Sequence, residues 1–193
     1  MSLCRVLHVA EHYRDRKGVI VESDPRDYQE VMDNALQLVY SQHHRMVTQL
    51  YPEAFQPLTL DQLRSGPLGQ DLLRLARLAR GQVRESKERV LEAIDSALQL
   101  LFWPAAADDY SVPRSFWDTD LGRMLALAKY RAYDPSELVS IGNAAQQLGV
   151  TRPTIYRWMD DRTLNYVRDD MSGRTFVVRR DIDNLKRVEQ VFE

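Results

Sequence analysis

The sequence predicts a mainly α protein in two parts. An N-terminal helical domain over 1–135 opens with a short β-hairpin. A smaller C-terminal unit over 136–193 joins two helices by a glycine turn and follows them with a two-stranded β wing and a last helix. Three observations carry this. Apolar residues recur at helical spacing through most of the first 130 positions. The segment Pro104–Pro113 (PAAADDYSVP) is bounded by prolines and reads as a linker or a wrapped loop. Beyond Asp134-Pro135 the pattern changes to short helices, a Gly-containing turn and two β-favouring runs.

Taken in order, Arg5–Ala10 and Val19–Val21 are the β-favouring arms of the hairpin, separated by the polar run Arg14–Gly18. Ser23-Asp24-Pro25 offers an N-cap and a first-turn proline. Tyr28, Val31, Met32, Ala35, Leu38, Val39 and Met46 then predict a helix from about Pro25 to Leu50. Pro52 and Pro57 close it, Thr59 and Asp61 suit the start of a short helix, and Gly66-Pro67 is a further break. From Leu68 to Phe102 an apolar stripe runs through Leu72, Leu75, Ala76, Ala79, Val83, Val90, Leu91, Ile94, Ala97, Leu98 and Leu101, with Gly81 placed to split it. A further helix is predicted to start at Ser115-Phe-Trp-Asp118 and to run to about Tyr130.

In the C-terminal unit, Ser140 caps a helix whose apolar positions are Ile141, Ala144, Ala145 and Leu148, and the small alanines allow a second helix to approach closely. Gly149 supplies the turn. Thr151 caps the second helix, with Pro153 in its first turn. Ile155 and either Trp158 or Met159 point inward, leaving Arg152, Thr154, Tyr156 and Arg157 outside. Leu164–Val167 and Thr175–Val178 form the wing around Gly173, and Asp181 caps a last helix holding Ile182, Leu185, Val188 and Phe192. This is the layout of a helix-turn-helix with a wing.

Composition narrows the function. The chain has 193 residues, 44% hydrophobic and 28% charged, enough to bury a core. One cysteine, Cys4, excludes an internal disulfide and a zinc site built on two or four cysteines, and suits a reducing compartment. No run of about 18 apolar residues is present, and Arg5 and His8 interrupt the first ten residues, so no membrane partner is expected and the localisation is cytoplasmic. The net charge of −2 supplies no global basic field. Any nucleic-acid face is therefore local, and Thr151–Arg180 holds seven arginines against four aspartates.

Other constellations point elsewhere with less force. His43 and His44 are adjacent on a helix and diverge by about 100°, a poor geometry for one metal. The aromatics Phe102, Trp103, Tyr110, Phe116, Trp117, Tyr130 and Tyr133 suit either internal packing or a small-molecule pocket. No phosphate loop, nucleophile elbow or carboxylate pair with a partner base is present, so neither catalysis nor a cofactor is expected.

The run Ser140-Ile-Gly-Asn-Ala-Ala-Gln-Gln-Leu-Gly-Val-Thr-Arg-Pro-Thr-Ile-Tyr-Arg-Trp158, followed by Leu164 and Gly173-Arg174, resembles the excisionase and MerR-related winged helix-turn-helix domains. The resemblance covers about 55 residues. It implies that the second helix enters the major groove of duplex DNA and that the wing lies over flanking backbone or minor groove. By position, Arg152, Thr154, Tyr156 and Arg157 fall on the groove face and Arg174 on the wing. Thr151 or Thr154 suits a phosphate or a thymine methyl, and Arg168, Arg174, Arg179 and Arg180 suit phosphates. The chain departs from the family in two ways. Asp169-Asp170 stands where such wings commonly carry basic residues, and the unit is C-terminal, whereas MerR regulators usually carry it first.

The expected function is sequence-specific binding of double-stranded DNA by a transcriptional regulator. It acts as a homodimer through its N-terminal helices, with Leu68–Phe102 as the interface. The alternatives are an excisionase-like architectural or recombination factor, and an antitoxin-type protein that masks a protein partner and regulates itself by binding DNA.

Overall fold

The computed structural model describes residues 13–14, 20–21, 27–51, 53, 57–102, 110–169 and 171–191, with the hairpin as backbone and the side chains of the last helix as far as Arg187. The described residues are mainly helical, with a small three-stranded antiparallel sheet.

The hairpin pairs β1 (Tyr13–Arg14) with β2 (Ile20–Val21), Tyr13 opposite Val21. The described first arm is Tyr13–Arg14, which takes in the first residue of the polar run, and the expected arm Arg5–Ala10 lies outside the described residues. The first long helix, α1 (Tyr28–Leu50), is capped by Asp27, whose carboxylate accepts from the Gln29 amide at 2.9 Å. Ser23-Asp24-Pro25, expected as the start, lies outside the described residues. The buried residues of α1 are Tyr28, Met32, Ala35 and Leu36 in its first half, while Leu38 and Met46, part of the same helical spacing, are exposed.

Thr59 starts α2 (Leu60–Ser65) in a reciprocal capping box with Gln62, and Pro67 opens α3 (Pro67–Ala79). Gly81, at φ +74°, separates α3 from α4 (Lys87–Phe102). The apolar stripe of α3 and α4 packs inside the chain's own core with α1 and α5 (Asp120–Ala132), through Leu72, Leu75, Leu78, Val90, Ile94 and Leu98. Each such side chain contributes about 1.5–3 kcal/mol of burial.

Tyr110–Pro113 carries no regular structure, and the linker residues 103–109 lie outside the described set, Trp103 among them. The helix expected from Ser115 begins later. Arg114–Asp118 is a 3-10 turn, and Thr119 caps α5 by accepting from the Gly122 amide at 3.1 Å. Gly122 is required there, since a Cβ would lie 2.1 Å from the Phe116 carbonyl oxygen. The aromatics of this region are packed inward, an edge-on arrangement that ring quadrupoles favour. Phe116 meets Phe102 edge-on at 4.9 Å and Trp117 at 5.3 Å.

Asp134 caps a second 3-10 turn, Pro135–Glu137, across the expected boundary at 135/136. That turn is held from both sides, by an ion pair from Lys87 of α4 to Glu137 and by Arg179, whose Nε donates to the Ser136 carbonyl at 2.7 Å. There follow β3 (Leu138–Ser140), α6 (Ile141–Gln147), α7 (Arg152–Asp160), β4 (Tyr166–Asp169), β5 (Arg174–Val178) and α8 (Arg179–Val191). The strands are ordered β3-β5-β4, all antiparallel.

Both faces of this sheet are covered. Val139 and Val177, opposite each other, join Ile141, Ala144, Ile155, Leu164 and Ile182 in a second apolar core. Val167 and Phe176 are also opposite each other and point the other way, where Phe176 stacks on Tyr130 of α5.

Candidate nucleic-acid interface

The site is built from α6 outward. Ser140 caps it by accepting from the Asn143 amide at 3.3 Å, and Ile141, Ala144 and Ala145 are buried against α7. Gly149 turns the chain at φ +63° with open space where a Cβ would sit, so glycine is needed there for backbone freedom alone. On α7, Ile155 and Met159 are the inward residues, and Trp158 packs half-buried at the edge of the same core. Burial of Ile155 and Met159 fixes which way the rest of the helix faces. Arg152, Pro153, Tyr156, Arg157 and Asp160 form its exposed stripe, with the Tyr156 ring half exposed.

Thr151 occupies the N-cap position, but its hydroxyl does not cap an amide as expected. It lies 3.0 Å from the Thr154 hydroxyl, so the two threonines satisfy each other beside the stripe, Thr154 half-buried and Thr151 exposed. The Arg152 guanidinium lies back over α6, where a Cβ at Gly142 would sit 3.2 Å from its Nη2. Arg157 projects outward, and Arg174 stands exposed at the start of β5 beside Gly173, at φ +67°. Asp169 is occupied within the turn, where it accepts from the Met171 amide at 3.1 Å and from the Ser172 hydroxyl. Asp170 lies outside the described residues.

Two of the expected arginines are engaged within the chain. Arg168 on β4 faces Asp118 at 3.8 Å, and Arg179, the first residue of α8, braces Ser136. Asp181 lies inside α8 rather than at its cap. Its carboxylate accepts from the Asn165 backbone and side-chain nitrogens at 2.8 and 3.0 Å, which fixes the entry to β4 at Asn165, so that the strand starts at Tyr166 and Leu164 belongs to the core. Val188 and Phe192 lie beyond the described side chains.

Two further features, like the Asp118–Arg168 pairing, carried no sequence signal. Arg114, from the 3-10 turn before α5, pairs with Asp160 at 2.7 Å, a contact between residues distant in the chain. Arg162 closes α7 at φ +58°, a left-handed position where glycine is usual. Chemically the stripe offers planar guanidinium forks and an exposed phenol ring beside a partly neutralised helix end, a surface suited to anionic and planar partners.

His43 and His44 are exposed on α1, the His44 ring stacked with Tyr40, and no group of three or more metal-ligating side chains occurs among the described residues. No helix among them is long and apolar enough to cross a membrane. Compared with known protein families, with curated proteins and with solved structures, the chain has no significant match.

Proposed function

We propose that residues 136–193 form a winged helix-turn-helix and that the chain is a sequence-specific double-stranded-DNA-binding protein, a transcriptional regulator acting as a dimer. The observation that carries this reading is the stripe on α7. With Ile155 and Met159 buried, Tyr156 and Arg157 are exposed together on a short helix that follows a tight glycine turn, and Arg152, also exposed, lies back over α6 beside them. In the major groove Arg157 would take guanine O6 and N7 with its two-pronged fork, worth about 1–3 kcal/mol of discrimination. Arg174 on the wing would meet backbone phosphate, adding affinity that falls with salt. Arg168 and Arg179, engaged within the chain, would hold the wing and α8 in register beneath that contact.

A small module alone binds weakly, and a two-fold dimer through the N-terminal helical region would place two α7 helices on half-sites about 34 Å apart. Among the described residues of that region, the large apolar side chains that are exposed are Leu38, Met46, Leu50, Tyr51, Leu58 and Leu100.

The test is selection of duplexes from a random pool by the full chain, then fluorescence anisotropy on a selected duplex and its scrambled version across a salt series. Arg157→Ala should weaken the selected duplex by roughly 5- to 150-fold and the scrambled one far less. Light scattering should give two chains per duplex. Failure of the pool to enrich, or equal, weak, salt-sensitive binding to both duplexes, would overturn the reading.

A further inference from the structure

We infer that the 3-10 turn Arg114–Asp118, which belongs to the N-terminal helical part, completes the DNA-facing surface by masking the acidic end of α7. This rests on the function proposed above. Asp160 is the last residue of α7 and continues the stripe of Arg152 and Tyr156 at four-residue spacing. Left bare, its carboxylate would face the phosphates that Arg157 and Arg174 attract, and the repulsion would act over about 10 Å at moderate salt. Arg114 offsets that charge. Its Nη2 lies 2.7 Å from Asp160 Oδ1, and 85% of its side chain is exposed. Most of the five-donor guanidinium fork therefore remains turned to solvent.

The placement of Arg114 is built in. Phe116 of the same turn packs against Phe102 and Trp117, its carbonyl leaves no room for a side chain at Gly122, and Asp118 faces Arg168 of β4 at 3.8 Å. The turn is thus bracketed by two ion pairs of opposite polarity, one to the end of α7 and one to the wing. The DNA-reading face is incomplete without a residue supplied from outside 136–193. Because the Arg114–Asp160 pair is exposed, it adds little to folding stability, so its loss is read in binding.

The experiment compares the full chain with Arg114→Ala, Asp160→Asn, the double variant and Arg89→Ala, an equal charge change on α4 outside both ion pairs. Anisotropy is read on the selected and scrambled duplexes at low and moderate salt. Arg114→Ala should weaken both duplexes by roughly fivefold at low salt, leaving their ratio unchanged. Adding Asp160→Asn should return affinity to within about twofold of the parent, and Arg89→Ala should have a smaller effect than Arg114→Ala. Arg114→Ala binding like the parent, or a loss that Asp160→Asn does not relieve, overturns the inference while the DNA-binding reading stands. If the parent itself fails to distinguish the two duplexes, both fall.

Discussion

Tyr130 of α5 stacks on Phe176 of β5, ring centroids 5.8 Å apart and planes 23° from parallel. The contact joins the helical core to the sheet, because Tyr130 packs on the edge of the first apolar core and Phe176 lies on the sheet face turned away from the second. Both rings are half-buried. Replacing either by alanine should cost about 2 kcal/mol in urea unfolding. The double variant should lose about 1 kcal/mol less than the two added together. Strict additivity would mean that the two layers do not support each other here.

Gly122 and Gly149 constrain the chain for different reasons, and alanine separates them. At Gly122 the new Cβ would meet the Phe116 carbonyl at 2.1 Å, so the turn carrying Arg114 must move off α5. At Gly149 the space is open and only the backbone at φ +63° resists. That conformation costs a residue with a side chain about 1–2 kcal/mol. Thermal unfolding should therefore fall by roughly 2–8 °C for Gly149→Ala and by more for Gly122→Ala. The reverse order would refute the close approach at Gly122.

Lys129 of α5 is held with a pKa below the ordinary lysine value of 10.5. Burial is the cause, and the attraction of Asp181 offsets it in part. A cation whose folded pKa is lowered destabilises the folded state while charged in both states. That cost is relieved as pH rises from the lowered value toward 10.5. Lys129→Met keeps the apolar stem and removes the charge. It should stabilise the chain at neutral pH by about 1 kcal/mol, or roughly 2–4 °C, and the gain should shrink at alkaline pH. A loss of stability at pH 7 would show that the ammonium is held by more than Asp181.

The elements of 136–193 were legible because their signals are local. Ser140 as a cap, Ile141, Ala144, Ala145 and Leu148 as one face, and Gly149 and Gly173 as turns follow from spacing and backbone sterics, and all occupy those roles. The errors have equally physical causes. Asp181 has the chemistry of a cap, but an Asn165 it reaches only in three dimensions claims its carboxylate. Arg162 at φ +58° could not be foreseen, since arginine carries no preference for that conformation. Leu38 and Met46 obey helical spacing but are exposed, since among the described residues the buried part of α1 is confined to its first half. The pairing of Arg114 with Asp160 and of Asp118 with Arg168 depends on how two distant segments meet, which one-dimensional periodicity does not encode.

Arg64 of α2 grips Asp33 of α1 with two prongs, Nε to Oδ1 at 2.9 Å and Nη2 to Oδ2 at 2.6 Å, while Gln29 adds a longer bond at 3.3 Å. These hydrogen bonds, the Arg64 pair foremost, hold the Asp33 carboxyl below its ordinary value of 3.8. Glu137 is lowered in the same way, first by Lys87 and then by the Asp134 amide. A carboxylate lowered on folding contributes stability that is fully present above its unfolded pKa and is lost as pH falls through the folded value. The urea midpoint of Asp33→Asn should therefore lie below the parent's by a constant margin from pH 7 to about pH 5, and the margin should close below about pH 4. Arg64→Lys keeps the charge but not the fork, and should lose part of the same margin at neutral pH. Glu137→Gln should show its own margin in the same acid window, independent of Asp33 because the two pairs share no partner. A margin for Asp33→Asn that persists unchanged at pH 3 would mean that side-chain shape, and not the ionised carboxylate, joins α1 to α2.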